Sequence, residues 1–226
     1  MAAEPAVGLR ERKKRQTRQR IAETARELFA ERGFDQVTVA DVARATEVSE
    51  QTVFNYFPSK EDLVYWRLGA FQDELLTAIR DRPEGEPALA AFGRFVLTQR
   101  GLLADPDPAT RAPLVELART IAASPALLAR EQQIFAGYTD ALAAALAEET
   151  EAQPDDPQPW AAANAMLGVH RALVAHARRR IVERGDDPAL ARELREHGER
   201  TLALIARGLG AYAPGRRGAE RPDGGG

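Results

Sequence analysis

Residues 38–63 read TVADVARATEVSEQTVFNYFPSKEDL, and this stretch decides the fold. Thr38 and Ser49 are residue types that commonly cap helices, and each precedes a two-turn segment with an apolar stripe. The pattern predicts short helices at about 38–45 and 49–56, joined by a tight turn. Two short helices connected in this way indicate a helix-turn-helix.

A two-turn helix buries too little surface to be stable alone, so a further helix must pack behind the pair. The apolar periodicity predicts that helix at about 17–32, ended by Gly33. The core of the unit is then predicted to comprise Ile21, Ala25, Leu28, Phe29, Phe34, Val39, Val42, Ala43, Val48, Val53, Phe54 and Phe57.

Helical periodicity along the chain, without alternating β-branched runs, predicts an all-α protein of about nine helices. Breaks at Pro and Gly clusters place the later helices near 59–81, 86–103, 108–122, 125–149, 158–184 and 188–210. The predicted division is a flexible basic arm at 1–16, a helix-turn-helix domain at 17–60, a larger helical domain at 61–212 and a disordered tail at 213–226.

The composition argues against an enzyme. The 226 residues include no cysteine, which excludes disulfides, thiolate zinc sites and thiol nucleophiles. His170 and His176 are six residues apart and do not share a helical face, whereas Glu193 and His197 at i,i+4 are typical of a surface interaction. We therefore predict no catalytic residue, no cofactor and no metal site; a helical hydrolase or metal enzyme is the rival hypothesis.

No apolar run approaches the ~20 residues that a bilayer span needs, and the first thirty residues lack a hydrophobic signal segment. The sequence therefore predicts a cytoplasmic protein with no membrane partner.

Positive charge is concentrated near the amino terminus. Residues 10–20 hold seven Lys and Arg against the single acidic residue Glu11. Two interpretations fit such a run: a solvated arm that aids solubility, or an arm that binds a polyanion. The residues that would make a polyanion-binding arm are Arg12, Lys13, Lys14, Arg15 and Arg18.

Residues 15–65 resemble the DNA-binding domain of TetR-family transcriptional regulators. The resemblance is carried by Arg20-Ile21, Leu28-Phe29, Gly33-Phe34, Thr38-Val39-Ala40-Asp41-Val42-Ala43, Val48-Ser49 and Thr52-Val53-Phe54-Asn55-Tyr56-Phe57-Pro58-Ser59-Lys60-Glu61-Asp62-Leu63. The remaining residues fit the family's helical ligand-binding and dimerisation domain by helix count only.

The resemblance implies that the helix at 49–56 lies in the major groove of double-stranded DNA. The implied base-reading residues are Glu50, Gln51, Thr52 and Asn55. The implied phosphate contacts are Thr38, Arg44, Tyr56 and Lys60.

Two residues depart from the family pattern. Phe54 stands where tyrosine is frequent and cannot donate to a phosphate, which leaves Tyr56 as the substitute donor. Glu47 stands where glycine is usual, so it either adopts a positive φ or the turn differs.

Small residues recur along 158–184 at intervals of three and four, and apolar residues recur along the last helix at matching intervals. By resemblance, these two helices form a four-helix bundle across a two-fold axis; packing within one chain is the alternative. The predicted homodimer interface comprises Ala161, Ala165, Gly168, Ala172, Ala175, Leu194, Gly198, Leu202 and Ile205.

Aromatic and a few polar side chains in the larger domain predict a pocket for a small, largely apolar effector. The candidates are Phe92, Phe95, Phe135, Tyr138, Trp160, Asn164, Leu167, His170 and Arg171; the alternative is an ordinary core. The resemblance implies a repressor released from a palindromic operator when the effector shifts the helix beginning at Ser59. The alternative function is a dimeric DNA-binding regulator without an effector, controlled by a protein partner.

Overall fold

The computed structural model describes residues 8–66, 68–98 and 108–209. Every regular element in these ranges is helical, which confirms the predicted all-α class. The nine α-helices within them are α1 Leu9–Arg32, α2 Val39–Ala45, α3 Glu50–Tyr56, α4 Leu68–Arg80, α5 Ala88–Val96, α6 Pro108–Ala123, α7 Pro125–Thr150, α8 Gln158–Arg184 and α9 Leu190–Leu209. A 3₁₀ turn, Glu61–Leu63, lies between α3 and α4. The predicted tail at 213–226 and the first seven residues of the predicted arm lie outside the described residues.

The chain divides into two compact units. The first comprises Met1–Gly69 with Glu116–Arg130, and the second comprises Ala70–Val115 with Glu131–Gly226. The first unit therefore includes the end of α6 and the start of α7 as well as the helix-turn-helix. The helix α7 begins in the first unit and ends in the second.

The core of the first unit is built where α1 packs on α2 and α2 packs on α3. The rings of Phe29 and Phe34 meet there with centroids 5.0 Å apart. The buried apolar side chains of this three-helix unit are Ile21, Ala22, Ala25, Phe29, Phe34, Val37, Val42, Ala43, Val53, Phe57 and Leu63. Most of the predicted core is thus confirmed, whereas Leu28, Val39 and Val48 are half-buried.

Three pairs of hydrogen-bonded residues join the α6–α7 corner to the rest of the first unit. The buried Tyr65 hydroxyl donates to the carbonyl oxygen of Leu127 at 2.9 Å. Nη2 of Arg130 donates to Oδ1 of Asp62 at 2.8 Å. The Ser124 hydroxyl donates to Oδ1 of Asp35 at 3.2 Å. Each bond spans more than sixty residues of chain, so residues 116–130 are part of this unit's packing.

In the second unit, α8 packs along α9, and α5 packs on both. Glycines allow the close approach of α5 and α9: a Cβ at Gly198 would collide with the Leu97 side chain, and one at Gly93 would lie 2.9 Å from Cδ1 of Leu202. The guanidinium of Arg111 is 2% exposed and pairs with Asp186 at 2.6 Å. The central apolar side chains include Leu75, Ile79, Ala91, Phe92, Leu142, Leu146, Met166, Leu167, Leu173, Ile181, Leu190 and Leu194.

No single described helix is both long and apolar enough to cross a membrane. One pair of consecutive helices, residues 111–123 with Pro125–Thr150, meets the test of length and composition together, with a bend of 103° between them.

Three predicted helix boundaries were wrong, one of them the end of the helix predicted at 86–103, because α5 ends at Val96. The first helix begins at Leu9 rather than near Thr17, so the basic residues that follow Leu9 lie on a helix and not on a flexible arm. The predicted helix at 59–81 is instead the 3₁₀ turn followed by α4. Asp62 and Tyr65 make long-range bonds in this segment, and local periodicity does not encode them.

Candidate nucleic-acid interface

The start of α2 is fixed by a reciprocal capping box. The Asp41 backbone N–H donates to the Thr38 hydroxyl at 3.1 Å, and the Thr38 backbone N–H donates to the Asp41 carboxylate at 3.0 Å. The Thr38 hydroxyl also donates to that carboxylate at 2.6 Å. These hydrogen bonds from Thr38, with a further contribution from Arg44, lower the pKa of Asp41 to about 2. The carboxylate is therefore ionised at the positive end of the α2 dipole.

The turn between α2 and α3 contains a residue in the left-handed region. Glu47 has φ 55°, which decides between the two possibilities the sequence left open. The Val48 backbone N–H donates to the carbonyl of Ala43 at 3.0 Å, and the Thr46 hydroxyl donates to the carbonyl of Val42 at 2.7 Å. The backbone groups at the end of α2 are thus paired inside the turn, which fixes the direction in which α3 leaves it.

Ser49 caps α3 as the sequence predicts. Its hydroxyl oxygen accepts from the Thr52 backbone N–H at 3.1 Å, and the two hydroxyls are 2.8 Å apart. Val53 and Phe57 are each 1% exposed and form the face that packs on the rest of the unit. A helix of seven residues is held in place by this one buried face and one cap.

Three of the four predicted base-reading residues of α3 are exposed: Glu50, which begins the helix, and Gln51 and Asn55, which lie on the side opposite Val53. Nε2 of Gln51 donates to Oδ1 of Asn55 at 3.2 Å, so these two amides are aligned with each other. Thr52 is half-buried and engaged with the cap.

Phe54 lies on the exposed face of α3 and not in the core. It is 44% exposed, so the prediction that it widens the buried stripe was wrong. Phe54 follows Val53 by 100° around the helix, and Val53 and Phe57 already fill the interface with α2 and α1. Its ring therefore stands between Glu50 and Gln51 on the surface.

The predicted phosphate-contacting residues surround α3. Arg44 is 77% exposed and donates to Asp41 at 3.0 Å, Tyr56 is half-buried, and Thr38 is exposed. Nζ of Lys60 lies 4.1 Å above the centroid of the Phe34 ring, a cation–π contact that holds the ammonium beside the unit.

The basic residues near the amino terminus lie on the first turns of α1. The side chains of Arg12, Lys13, Lys14, Arg15 and Arg18 are all exposed. Arg18 also lies over the ring of Phe57, with 5.5 Å between its Cζ and the ring centroid. The helix thus gives these charges a fixed spacing that a flexible arm would not.

The second unit contains a cluster of contacting rings that includes four predicted effector-pocket residues. Phe71 lies at its centre: its ring centroid is 4.7 Å from that of His170, and 5.3 Å from those of Phe95 and Tyr138. Phe135 adds an edge contact to His170 at 5.7 Å. Burial lowers the pKa of the His170 imidazole to about 4, and raises the pKa of the Tyr138 phenol.

Sequence reasoning missed Phe71. It lies near the start of α4, in a segment that the sequence interpretation treated only as a connecting helix. The apolar periodicity of α4, with Leu75 and Ile79 buried four residues apart, is the signal that assigns Phe71 to the same inward side.

The other predicted pocket residues are not among the rings of this cluster. Trp160 is 54% exposed, and its indole N–H donates to Asp140 at 3.3 Å; Asn164 is also exposed. Arg171 donates to Gln132 and lies over the ring of Phe135. Phe92 and Leu167 are fully buried core residues.

Four of the nine predicted dimer-interface residues are exposed in the single chain, three are half-buried and two are buried. Ala161, Gly168, Ala172 and Ala175 on α8 are exposed, and Ala165 is half-buried. Leu202 and Ile205 on α9 are half-buried, and the large apolar residues Val182 and Leu204 are 57% and 61% exposed. Leu194 and Gly198 differ: both are buried within the unit, because they pack against its own helices.

Comparison with known proteins agrees with this geometry. Residues 21–65 match the family described as bacterial regulatory proteins, tetR family, and residues 103–210 match the family described as MftR C-terminal domain. The first match contains the complete helix-turn-helix, and the second contains α6 to α9. The chain belongs to the TetR family of DNA-binding transcriptional regulators.

Two relatives and one solved structure show how similar this chain is to known regulators and over how much of its length. The chain is 40% identical over 89 residues to the regulator TcmR of Streptomyces glaucescens, a match that spans 39% of each chain. It is 28% identical over 183 residues to the putative mycofactocin biosynthesis transcriptional regulator MftR of Mycobacterium tuberculosis, covering 78% of this chain and 85% of MftR. The transcriptional regulator FadR from Bacillus subtilis, solved in complex with stearoyl-CoA, superimposes with a TM-score of 0.50 at 20% identity, covering 84% of this chain and 98% of FadR.

Proposed function

We propose that the protein is a homodimeric repressor that reads a palindromic operator with α3 and is released from it by a small, largely apolar effector. The observation that carries the proposal is the two-sided character of α3. Val53 and Phe57 are each 1% exposed, while the side chains of Glu50, Gln51 and Asn55 are exposed and accessible to base edges.

The surroundings of α3 support its role as the reading helix. The exposed basic side chains of α1 supply a sequence-independent attraction for phosphates. Lys60 and Arg44 are placed beside the helix to set its register on the backbone. The exposed ring of Phe54 adds an apolar contact suited to the methyl group of thymine.

The proposed dimer follows from the exposed side of α8. Small side chains there allow a second helix to approach closely, and the exposed Val182 and Leu204 extend the same kind of surface onto α8 and α9. Closed two-fold symmetry repeats one surface on both subunits, and a palindrome repeats one half-site in the same manner. We therefore assign the dimer to the exposed residues of the predicted interface and leave out Leu194 and Gly198.

We propose that the effector binds at the ring cluster and acts through α7. Phe135 and Tyr138 belong to that cluster, and Leu127 and Arg130 on the same helix bond to Tyr65 and Asp62, just beyond the helix-turn-helix. A displacement of α7 would alter these two bonds. The effector acts only to the extent that it binds one arrangement of α7 more tightly than the other.

The experiment is a ligand screen followed by DNA release. Thermal unfolding is measured with a panel of apolar acids, aromatic compounds and acyl-CoA thioesters, stearoyl-CoA among them because FadR holds it. A ligand of the folded state raises the melting temperature through mass action. It should then dissociate the protein from operator DNA, and Phe71→Ala should weaken both effects.

One observation favours the alternative without an effector. The rings of Phe71, Phe95, Tyr138 and His170 contact one another, as the side chains of a packed core do. In that case the second unit dimerises or meets a protein partner. A panel that leaves both the melting temperature and DNA binding unchanged would favour this function.

A further inference from the structure

Three potential metal ligands meet where α8 packs on α9. His176 comes from α8, whereas Glu193 and His197 come from α9, one turn apart on one face. One ligand atom from each side chain lies within 4.8 Å of the others, and Nε2 of His176 is 3.0 Å from Oε1 of Glu193. The two imidazole centroids are 4.8 Å apart. The sequence analysis considered each helix alone and so did not place His176 beside Glu193 and His197.

Hydrogen bonds around the cluster leave suitable atoms for a metal. Nδ1 of His197 donates to the carbonyl oxygen of Glu193 at 2.7 Å, so Nε2 carries the lone pair. Oε2 of Glu193 accepts from Arg180 at 2.9 Å, which leaves Oε1 facing His176. Metal-bound histidines usually donate their second ring N–H to a carbonyl or carboxylate, and ligating carboxylates are usually hydrogen-bonded themselves.

The carboxylate of Glu193 lies between the two helices, with Oε1 toward His176 and Oε2 toward Arg180. All three side chains are half-buried, which keeps the cluster open to solvent on one side. An ion could therefore enter and retain a water as a further ligand.

We propose that His176, Glu193 and His197 bind one divalent transition-metal ion, with Zn²⁺ as the representative. Two imidazole nitrogens and one carboxylate oxygen form a ligand set that suits Zn²⁺, with water in the fourth position. When the ion binds Nε2 of His176, a neutral ring moves its single proton from Nε2 to Nδ1, and a doubly protonated ring releases the Nε2 proton to solvent and keeps the one on Nδ1. The bound ion links α8 to α9 and so stabilises the pair of helices that carries the proposed dimer face.

The test uses the purified full chain without an affinity tag, stripped with a chelator and then titrated with Zn²⁺ alone near neutral pH. We expect one ion per chain by calorimetry, with a Kd of about 1 µM or below. Replacement of Zn²⁺ by Co²⁺ should give the absorption bands of a four-coordinate ion. Binding should weaken on acidification because protons compete for the imidazoles.

Two variants, one at a histidine ligand and one at the carboxylate ligand, are compared with a control to test whether the ion binds at this cluster. His197→Asn and Glu193→Gln should each weaken Zn²⁺ binding at least about tenfold and remove the Co²⁺ bands. Glu196→Gln changes an exposed carboxylate on the same helix and should bind as the original chain does. The original chain should also unfold at a higher temperature with Zn²⁺ than without it.

The proposal is overturned if the original chain takes up no stoichiometric Zn²⁺ or Co²⁺. It is equally overturned if both variants bind the ion as tightly as Glu196→Gln does. Metal uptake by the original chain is measured independently of the variants, so a variant that fails to fold does not affect this outcome.

Discussion

At two positions in this protein, the backbone conformation or burial of a residue differs from what its residue type favours. Glu47 adopts a positive φ in the turn of the helix-turn-helix, where the residue has no side-chain reason to prefer it. Phe54 is exposed although its aromatic side chain is of a type that usually packs in a core. Glu47 lies in the turn and Phe54 in α3, and the orientation of that helix is set by the backbone bonds of the turn and by the burial of Val53.

Replacing Glu47 by glycine should stabilise the fold. An L-residue with φ 55° costs about 1–2 kcal/mol, and glycine avoids this at an entropic cost of about 0.5–1 kcal/mol. Glu47→Gly is therefore expected to raise the free energy of unfolding by about 0.5–1 kcal/mol in urea denaturation. Glu47→Ala keeps the strain and is the matched control; an equal gain in both variants would contradict the explanation.

His170 should make stability depend on pH. Its pKa is lowered to about 4 in the fold by burial, against an ordinary value of 6.5 when unfolded. Between these values the unfolded chain holds the extra proton, so acidification from about pH 6.5 to about pH 4 should remove up to about 3 kcal/mol of stability. His170→Phe keeps a ring beside Phe71 and should flatten this part of the profile in urea denaturation. An unchanged slope would contradict the assignment.

The helices show how far periodicity alone can predict the fold. Sequence patterns predicted the class, the capping residues Thr38 and Ser49 and the buried pair of α3, because caps and i,i+4 stripes are local features. They placed the start of α1 too late, since residues 9–16 have no apolar stripe. They also joined the segment after Ser59 to α4, because the bonds of Asp62 and Tyr65 reach partners more than sixty residues away.

In the candidate sites too, local sequence patterns predict some features and miss those that depend on long-range contacts. The polar face of α3 is visible in its 3.6-residue pattern, but the ring cluster needs side chains from α4, α5, α7 and α8, which no local pattern brings together. Phe71 was therefore missed, and Trp160 was assigned to a pocket although it lies on the surface.

The basic turns of α1 should control the salt dependence of DNA binding. Lys13→Gln together with Lys14→Gln should weaken binding to all duplex sequences and lower the slope of log K against log salt by up to about 2. Arg80→Gln with Arg184→Gln removes two exposed charges from the second unit and is the matched control. Fluorescence anisotropy over a salt series measures both; equal slopes for the two double variants would contradict a role for α1.

At the level of the assembly, the proposed function depends on two copies of the chain acting together. Each chain carries one α3, and a pseudo-palindromic site needs two reading helices at a spacing of about one turn of DNA. The exposed small residues of α8 supply the surface by which the proposed dimer would set that spacing.

Ala172→Glu should therefore separate the subunits. A carboxylate at this exposed position would be buried without a partner in the proposed interface. Light scattering should report a dimer for the original chain and a substantial monomer fraction for the variant. Ala144→Glu, at an exposed alanine of α7, should remain dimeric. A concentration-independent monomer for the original chain would contradict the interface.

Selection of bound fragments from a random duplex library tests the central claim, that α3 reads DNA, most directly. The original chain should enrich a palindromic motif at low ionic strength, and Gln51→Ala should enrich a motif changed at a symmetric pair of positions. Failure of the original chain to retain any double-stranded fragment under these conditions would contradict the account.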